Sequence, residues 1–175
     1  MTLRVISGIY KGQNLKGFTI DGTRPTMDRV KESMFAMIAP KIKNSTVLDL
    51  FAGSGALGIE ALSQGALECI FIDKNKIACD TIKENTKKIE HATIIQNDSM
   101  KYLKQTDKTF DIILLDPPYQ ANFIGKAIKI IKERNLLNED GILVCEYEQE
   151  KFISPYTLWK EKKYGEKWVS VYKNN

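Results

Sequence analysis

Two stretches of this 175-residue chain combine residue types that can do chemistry: Asp116-Pro-Pro-Tyr119 and Gly53-x-Gly55-x-x-Gly58. Consecutive prolines donate no backbone hydrogen bonds and fix φ near −65°, so they would hold the Asp116 carboxylate and the neighbouring carbonyls rigidly at a strand end. Beside those acceptors stands an aromatic face, Tyr119. Such a tip suits a planar base bearing an amino group: the ring stacks on Tyr119, and the amino hydrogens are accepted by Asp116 and a proline carbonyl. Asp116, Pro117, Pro118 and Tyr119 are therefore the candidate catalytic residues.

The glycine spacing is that of a dinucleotide-type turn, in which the backbone bends sharply and approaches a ligand. Gly58 would let the following helix pack tightly on its strand. Asp73 lies twenty residues beyond Gly53, where a carboxylate can accept from the hydroxyls of an adenosine ribose. The other reading makes Asp73 a helix cap, and together with the glycines the ribose role is favoured. Asp98 would accept from an adenine amino group or cap a helix, and the sequence scarcely separates these.

The elements that must carry these residues follow from periodicity. Thr46 to Phe51, Glu68 to Asp73, Ala92 to Gln96, Phe110 to Leu115 and Ile142 to Glu146 read as strands, most of them apolar enough to be buried on both faces. Helices are expected from about Met27 to Ile38, with Val30, Met34, Phe35 and Ile38 on one face, through Glu60 to Leu62, from Lys74 to Ile89, after Ser99, and from Phe123 to Arg134. Thr26 or Asp28 would cap the first, Pro40 would stop it, and Gly65 would end the second. Arg4 to Lys16 alternates around Gly8 and Gly12 as a small basic hairpin would. Asn138 to Gly141 reads as a turn before the fifth strand, and Thr157 to Tyr172 as two strands joined at Tyr164-Gly165-Glu166. If the first of these two is parallel to the other strands, Lys162, Lys163 and Lys167 stand beside Asp116, available to phosphates.

Composition sets the frame. With 43% hydrophobic residues the chain can build one core, so a single domain over residues 1–175 is expected, with 1–45 as a basic hairpin and helix appended to it. The net charge of +4 is unevenly distributed: eight Lys/Arg against three acids in residues 1–46 and six against two in 151–175 leave both ends basic around an acidic middle. That asymmetry suggests a polyanionic partner held by the flanks, and Arg4, Lys11 and Arg24 join the three hairpin lysines as candidate contacts. Cys69, Cys79 and Cys145 form no CxxC and read as reduced core residues of a cytosolic protein; no metal site is expected. No apolar stretch reaches membrane-span length, and the start lacks the apolar segment of a signal peptide.

With these residues assembled, the chain from Arg4 to about Tyr172 resembles the class I S-adenosylmethionine-dependent methyltransferases. More narrowly it resembles the bacterial family that methylates the exocyclic N2 of one guanine in small-subunit (16S) ribosomal RNA. The broad likeness rests on Asp116-Pro-Pro-Tyr119. The narrow one rests on Arg4-Val-Ile-Ser-Gly8, Arg24-Pro-Thr26, Arg29-Val-Lys-Glu-Ser-Met-Phe35 and Asp49-Leu-Phe-Ala-Gly-Ser-Gly-Ala-Leu-Gly-Ile-Glu-Ala-Leu62. The resemblance implies an α/β fold: a Rossmann-like, mostly parallel sheet with a C-terminal antiparallel hairpin and a small N-terminal β-hairpin and helix. It implies S-adenosyl-L-methionine as cofactor, with Asp49, Phe51, Gly53 and Gly55 around its methionine part, Asp73 at the ribose and Asp98 at the adenine. Asp116 to Tyr119 would hold the guanine, and Arg24 and Thr26 would touch the cofactor carboxylate or order the entry loop. Position 98 is Asp where some relatives carry Asn, and position 119 is Tyr where many carry Phe. The partner implied is 16S rRNA, in a small-subunit particle or assembly intermediate, met by a cytoplasmic monomer.

Three other readings compete. A DNA adenine or cytosine amino-methyltransferase would normally need a target-recognition domain for which 175 residues leave little space. A nicotinamide-dependent dehydrogenase accommodates the glycines and Asp73 but does not explain Asp116-Pro-Pro-Tyr119. A non-catalytic RNA-binding assembly factor accommodates the basic ends and leaves the central residues without a use.

Overall fold

The computed structural model describes residues 3–18, 28–119 and 122–175. A seven-stranded sheet is built from β3 (Thr46–Asp49), β4 (Glu68–Asp73), β5 (Ala92–Gln96), β6 (Phe110–Leu115), β7 (Leu137–Tyr147), β8 (Thr157–Tyr164) and β9 (Lys167–Lys173). Their spatial order is β5-β4-β3-β6-β7-β9-β8, with β1 (Leu3–Arg4) and β2 (Asn14–Leu15) forming a separate antiparallel pair. Five strands run parallel, β9 is antiparallel to β7, and β8 is antiparallel to β9. β8 is therefore parallel to the central strands, and its Tyr164 end lies on the carboxyl edge of the sheet. The mostly parallel α/β architecture, the C-terminal hairpin and the small N-terminal pair all agree with expectation.

Alternation along the central strands separates two cores. Val47, Phe71, Ile112 and Leu114 face α1 (Asp28–Ile42), α2 (Ala56–Ser63) and α3 (Lys76–Asn85), whereas Leu48, Ile70, Ile113 and Leu115 face α4 (Ser99–Gln105) and α5 (Phe123–Glu133). A strand sandwiched between helices must be apolar on both faces, which is why these sequences read as unbroken hydrophobic runs. Gly58 makes α2 fit: a Cβ there would lie 2.3 Å from Phe71 Cε1 and 2.7 Å from Cys69 Sγ. Gly65, at φ 104°, closes α2, with Ala66 N–H donating to the Ala61 carbonyl and Gly65 N–H to that of Leu62. The three cysteines are buried and unbridged.

Several boundaries differ from the sequence reading. α1 runs past Pro40 to Ile42, because the carbonyl that the proline leaves unserved, on Ala36, belongs to an exposed residue, while Ile42 gains a buried position. α1 begins at Asp28, and Thr26 lies outside the described residues. α3 starts two residues late because Asn75 caps it, and it ends at Asn85 rather than Ile89. The expected turn at Asn138–Gly141 is an irregularity within the continuous strand β7, where the register to β6 shifts between Phe110 and Ile112.

Candidate active site

The two chemical stretches open onto one cavity. Its volume is about 430 Å³, within the usual range for small-molecule sites. It lies at the carboxyl edge where β4 and β6 flank β3, the point at which the chain changes direction across the sheet. Each central strand delivers one segment to it. β3 ends on Asp49 and the turn after it supplies residues 51–54, β4 ends on Asp73, the segment after β5 supplies Asp98, Ser99 and Met100, and β6 runs into Asp116, Pro117, Pro118 and Tyr119.

The glycine turn depends on left-handed backbone: Gly53 has φ 55° and Gly55, at the N-cap of α2, φ 81°. A Cβ on Gly53 would meet only Phe18, at 4.0 Å, so the bend faces open space. Asp73 fixes that bend, since Gly53 N–H donates to its Oδ2 at 3.0 Å and Asn75 N–H to its Oδ1 at 2.9 Å. The helix cap is thus Asn75, whose side chain accepts from Ile77 and Ala78, and Asp73 belongs to the turn and the cavity wall. Asp98 caps α4, accepting from Lys101 N–H, and also lines the cavity. Ser99 Oγ donates to the Leu50 carbonyl at 2.7 Å and ties the two loops together.

Asp49 is buried and accepts from Gly58 N–H at 3.0 Å, which satisfies a free donor in the first turn of α2. Burial pushes its carboxyl up to about 7; the Gly58 hydrogen bond opposes this and the charge of Asp73 adds to it. Phe51 and Phe123 pack with ring centroids 5.5 Å apart on the cavity wall. Carboxylates spaced around an apolar slot can accept from hydroxyl and amino groups of a ligand whose flat part lies against the aromatic and Met100 side chains. These residues suit a nucleoside with a cationic tail.

Behind the proline tip the structure adds two residues that the sequence reading did not use together. Glu146, buried at the end of β7, accepts from Lys167 Nζ at 2.9 Å and from the Tyr119 hydroxyl at 3.4 Å. Lys167 Nζ also lies 5.3 Å from the Tyr119 ring centroid. Burial works against the Lys167 ammonium, but the Glu146 charge and hydrogen bonds to Tyr119 and Glu146 outweigh it and hold its pKa above the ordinary lysine value. Tyr119 is pushed up to about 12, first by burial and then by the charges of Glu146 and Asp116, against an opposing hydrogen bond from Lys167. At that value its hydroxyl is a neutral hydrogen-bond donor at physiological pH. The clue in the sequence was a strand closing on an acid, as β4 closes on Asp73.

The expected phosphate contacts divide. Lys11, Lys162 and Lys163 are exposed, the latter two with their ammonium groups 5.2 and 5.3 Å from the rings of Tyr164 and Trp168. Arg4 is exposed and pairs with Asp28 at 3.5 Å. Lys167, by contrast, is turned inward to Glu146 and is unavailable as a surface hand. Arg24 lies outside the described residues.

An α/β sheet with helices on both faces and a nucleoside-sized cavity at the switch point, bounded by a glycine bend and an Asp-Pro-Pro-Tyr tip, is the architecture of the Rossmann-like methyltransferases. Among solved structures, the Escherichia coli protein yhhF superposes with a TM-score of 0.89 over 100% of this chain and 99% of its own, at 27% identity. Ribosomal RNA small subunit methyltransferase D of Haemophilus influenzae is 38% identical over 181 residues, covering 98% of this chain and 94% of the relative. The Bacillus subtilis protein YlbH is 41% identical, with 98% of both chains aligned. A family model described as conserved hypothetical protein 95 matches residues 3–173, and the chain belongs to this family, that of ribosomal RNA small subunit methyltransferase D.

Proposed function

We propose that this chain transfers a methyl group from S-adenosylmethionine to the exocyclic N2 of a guanine in small-subunit ribosomal RNA. The observation that carries the reading is the shared cavity: Gly53, Asp73 and Asp98 line the same space as Asp116 and Tyr119. The relative from Haemophilus influenzae supports the RNA substrate by its name, and the exposed basic residues Arg4, Lys11, Lys162 and Lys163 suit a phosphate backbone.

S-adenosylmethionine, when bound, supplies a methyl group on a positively charged sulfur, an electrophile that departs as a neutral thioether. Asp73 and Asp98 would hold its ribose and adenine, and Asp49 with the glycine bend its methionine part. The protein must then activate a poor nucleophile, because the guanine N2 lone pair is delocalised into the ring. Acceptance of the two N–H hydrogens by Asp116 and the Pro117 carbonyl favours a pyramidal nitrogen with its lone pair available. The proline pair fixes both acceptors before the substrate arrives, so orientation contributes several kcal/mol. Tyr119 stacks on the base, which must stand in a loop or be flipped out for the ring and N2 to reach this tip. The N2 proton leaves to Asp116 or to water.

The test is methyl incorporation into 16S rRNA and assembled small subunits, followed by mass spectrometry of the modified nucleotide. Asp116→Ala is expected to abolish incorporation while S-adenosylhomocysteine affinity stays within severalfold. Near-normal turnover in that variant, or a methyl group on another atom, would overturn the reading.

A further inference from the structure

The N-terminal arm, residues 3–18, forms part of the cavity: Leu3 and Phe18 line it together with the glycine bend. Its first half docks on α2, where Ile6 and Ser7 N–H donate to the Glu60 carboxylate at 3.0 Å each. Its second half pairs with the first through β1 and β2, buries Leu15, and is tied to α3 and the glycine turn by Asn85. Asn85, 4% exposed at the end of α3, accepts from Lys16 N–H at 2.8 Å and donates to the Lys16 carbonyl at 3.0 Å and to the Ser54 carbonyl at 2.9 Å. Its backbone carbonyl accepts from the Gln13 amide at 2.9 Å. Both amide hydrogens and the side-chain oxygen are thereby used, and they join the arm to the glycine turn. Phe18 is two residues beyond Lys16 and sits 4.0 Å from where a Gly53 Cβ would be.

We propose that Asn85 is a positioning residue for the cofactor cavity: it holds the arm as a wall of the site, so that ligand binding and docking of the arm stabilise each other. The inference rests on the methyltransferase reading for the identity of the ligand. The physical ground is reciprocity. If the ligand binds better to the docked arm, then the ligand must stabilise docking by the same factor. A buried primary amide suits the task because it pairs with the backbone of two separate segments at once, and no apolar side chain can replace those bonds. The arm also carries the exposed Lys11, so its docking state sets what it presents to a polyanion.

The full-length protein is titrated calorimetrically with S-adenosylhomocysteine, and amide hydrogen exchange of residues 3–18 is followed with and without it. In the wild type the ligand is expected to slow exchange across the arm. Asn85→Ala is expected to weaken binding about tenfold or more and to abolish that slowing, a coupling of ordinary size. Asn85→Asp keeps the acceptor for Lys16 but loses both donors, and should behave like the alanine variant. Phe18→Ala, which leaves every hydrogen bond of Asn85 in place, should weaken binding while the arm stays protected; with the wild-type exchange measurement it tests whether the docked arm is a wall of the site even if Asn85→Ala does not fold. A merely structural Asn85 would lower the melting temperature and leave affinity and ligand-induced protection unmoved. Folded Asn85→Ala binding within twofold of wild type, Phe18→Ala binding as wild type, or an arm indifferent to the ligand would overturn the proposal. Failure of the wild type to bind at all would instead overturn the methyltransferase reading, and this inference with it.

Discussion

The Tyr119 hydroxyl donates to the same Glu146 oxygen, Oε1, that receives the Lys167 ammonium. The Asp116-Pro-Pro-Tyr119 tip is therefore anchored to a buried ion pair. Removing the lysine charge takes the Lys167 ammonium away from a buried carboxylate, whereas removing the phenolic oxygen leaves the ion pair intact. Lys167→Met is expected to lower unfolding free energy by about 3–5 kcal/mol, and Tyr119→Phe by only about 1 kcal/mol. Urea denaturation of the two variants checks the order, and equal losses would show that the pair contributes nothing of its own.

Under the proposed function the ring of Tyr119 matters more than its hydroxyl. Tyr119→Phe keeps the stacking face and is expected to stay within severalfold of wild-type kcat/KM. Tyr119→Ala loses the stack, worth about 1–3 kcal/mol per base, and should fall roughly ten- to a hundredfold. Single-turnover methylation of rRNA measures both, and a phenylalanine variant as impaired as the alanine one would put the chemistry on the oxygen instead.

Asp49 predicts a pH dependence of stability. Its folded pKa of about 7 lies above the unfolded value near 4, so the native state binds the proton more tightly. The associated stability is fully present below the unfolded pKa and is lost as pH rises through about 7, a difference on the order of 4 kcal/mol. Asp49→Asn keeps an acceptor for Gly58 N–H and carries no charge. Between pH 5 and 8 the wild type should lose stability relative to this variant, as read by urea unfolding; parallel profiles would place the native pKa of Asp49 near its unfolded value.

Much of this site was legible in the chain because its parts are local. A strand closing on an acid, a glycine bend and a double proline each announce themselves within ten residues, and β4 and β5 have the expected bounds. What stayed hidden depends on partners far apart in sequence. Asn85 meets Lys16 and Ser54, Glu146 meets Lys167, and Lys31 meets Glu60; no spacing within one element encodes these pairs. The Arg4-Val-Ile-Ser-Gly8 stretch carried the family likeness without an evident use. The structure gives it one, since its backbone is the ligand of Glu60 and its glycine passes against Ser63. Pro40 misled because its cost depends on whether the released carbonyl can reach water, which the sequence does not state.

Glu60 is predicted to be the principal anchor of the arm's first half. It is buried with Lys31, their charged atoms 3.6 Å apart, and Lys31 also donates to the Arg4 carbonyl. Burial lowers the Lys31 pKa, opposed chiefly by the charge of Glu60. Glu60→Ala leaves that ammonium without its carboxylate and deprives two backbone N–H groups of their acceptor, so a loss of about 3–5 kcal/mol is expected. Lys31→Met combined with Glu60→Gln, which removes both charges and keeps an acceptor, should recover much of it. Faster amide exchange at Ile6 and Ser7 in the single variant, absent in the double one, would locate the effect in the arm.

Gly8 and Gly12 separate steric fit from backbone conformation. Both adopt left-handed backbone, at φ 89° and 87°. A Cβ on Gly12 would meet nothing within 4 Å, whereas one on Gly8 would lie 1.9 Å from the Ser63 carbonyl oxygen, which accepts from Ile9 N–H. Gly12→Ala should therefore cost only the conformational penalty, about 1–2 kcal/mol. Gly8→Ala must in addition push the arm away from α2, breaking the bond from Ile9 and displacing the Glu60 contacts beside it. Its unfolding free energy should fall by clearly more than that of Gly12→Ala, and exchange at Ile6, Ser7 and Ile9 should accelerate only in the Gly8 variant. Matching losses at the two glycines would mean that the arm yields without strain, and that its close seat on Ser63 does not hold it in place.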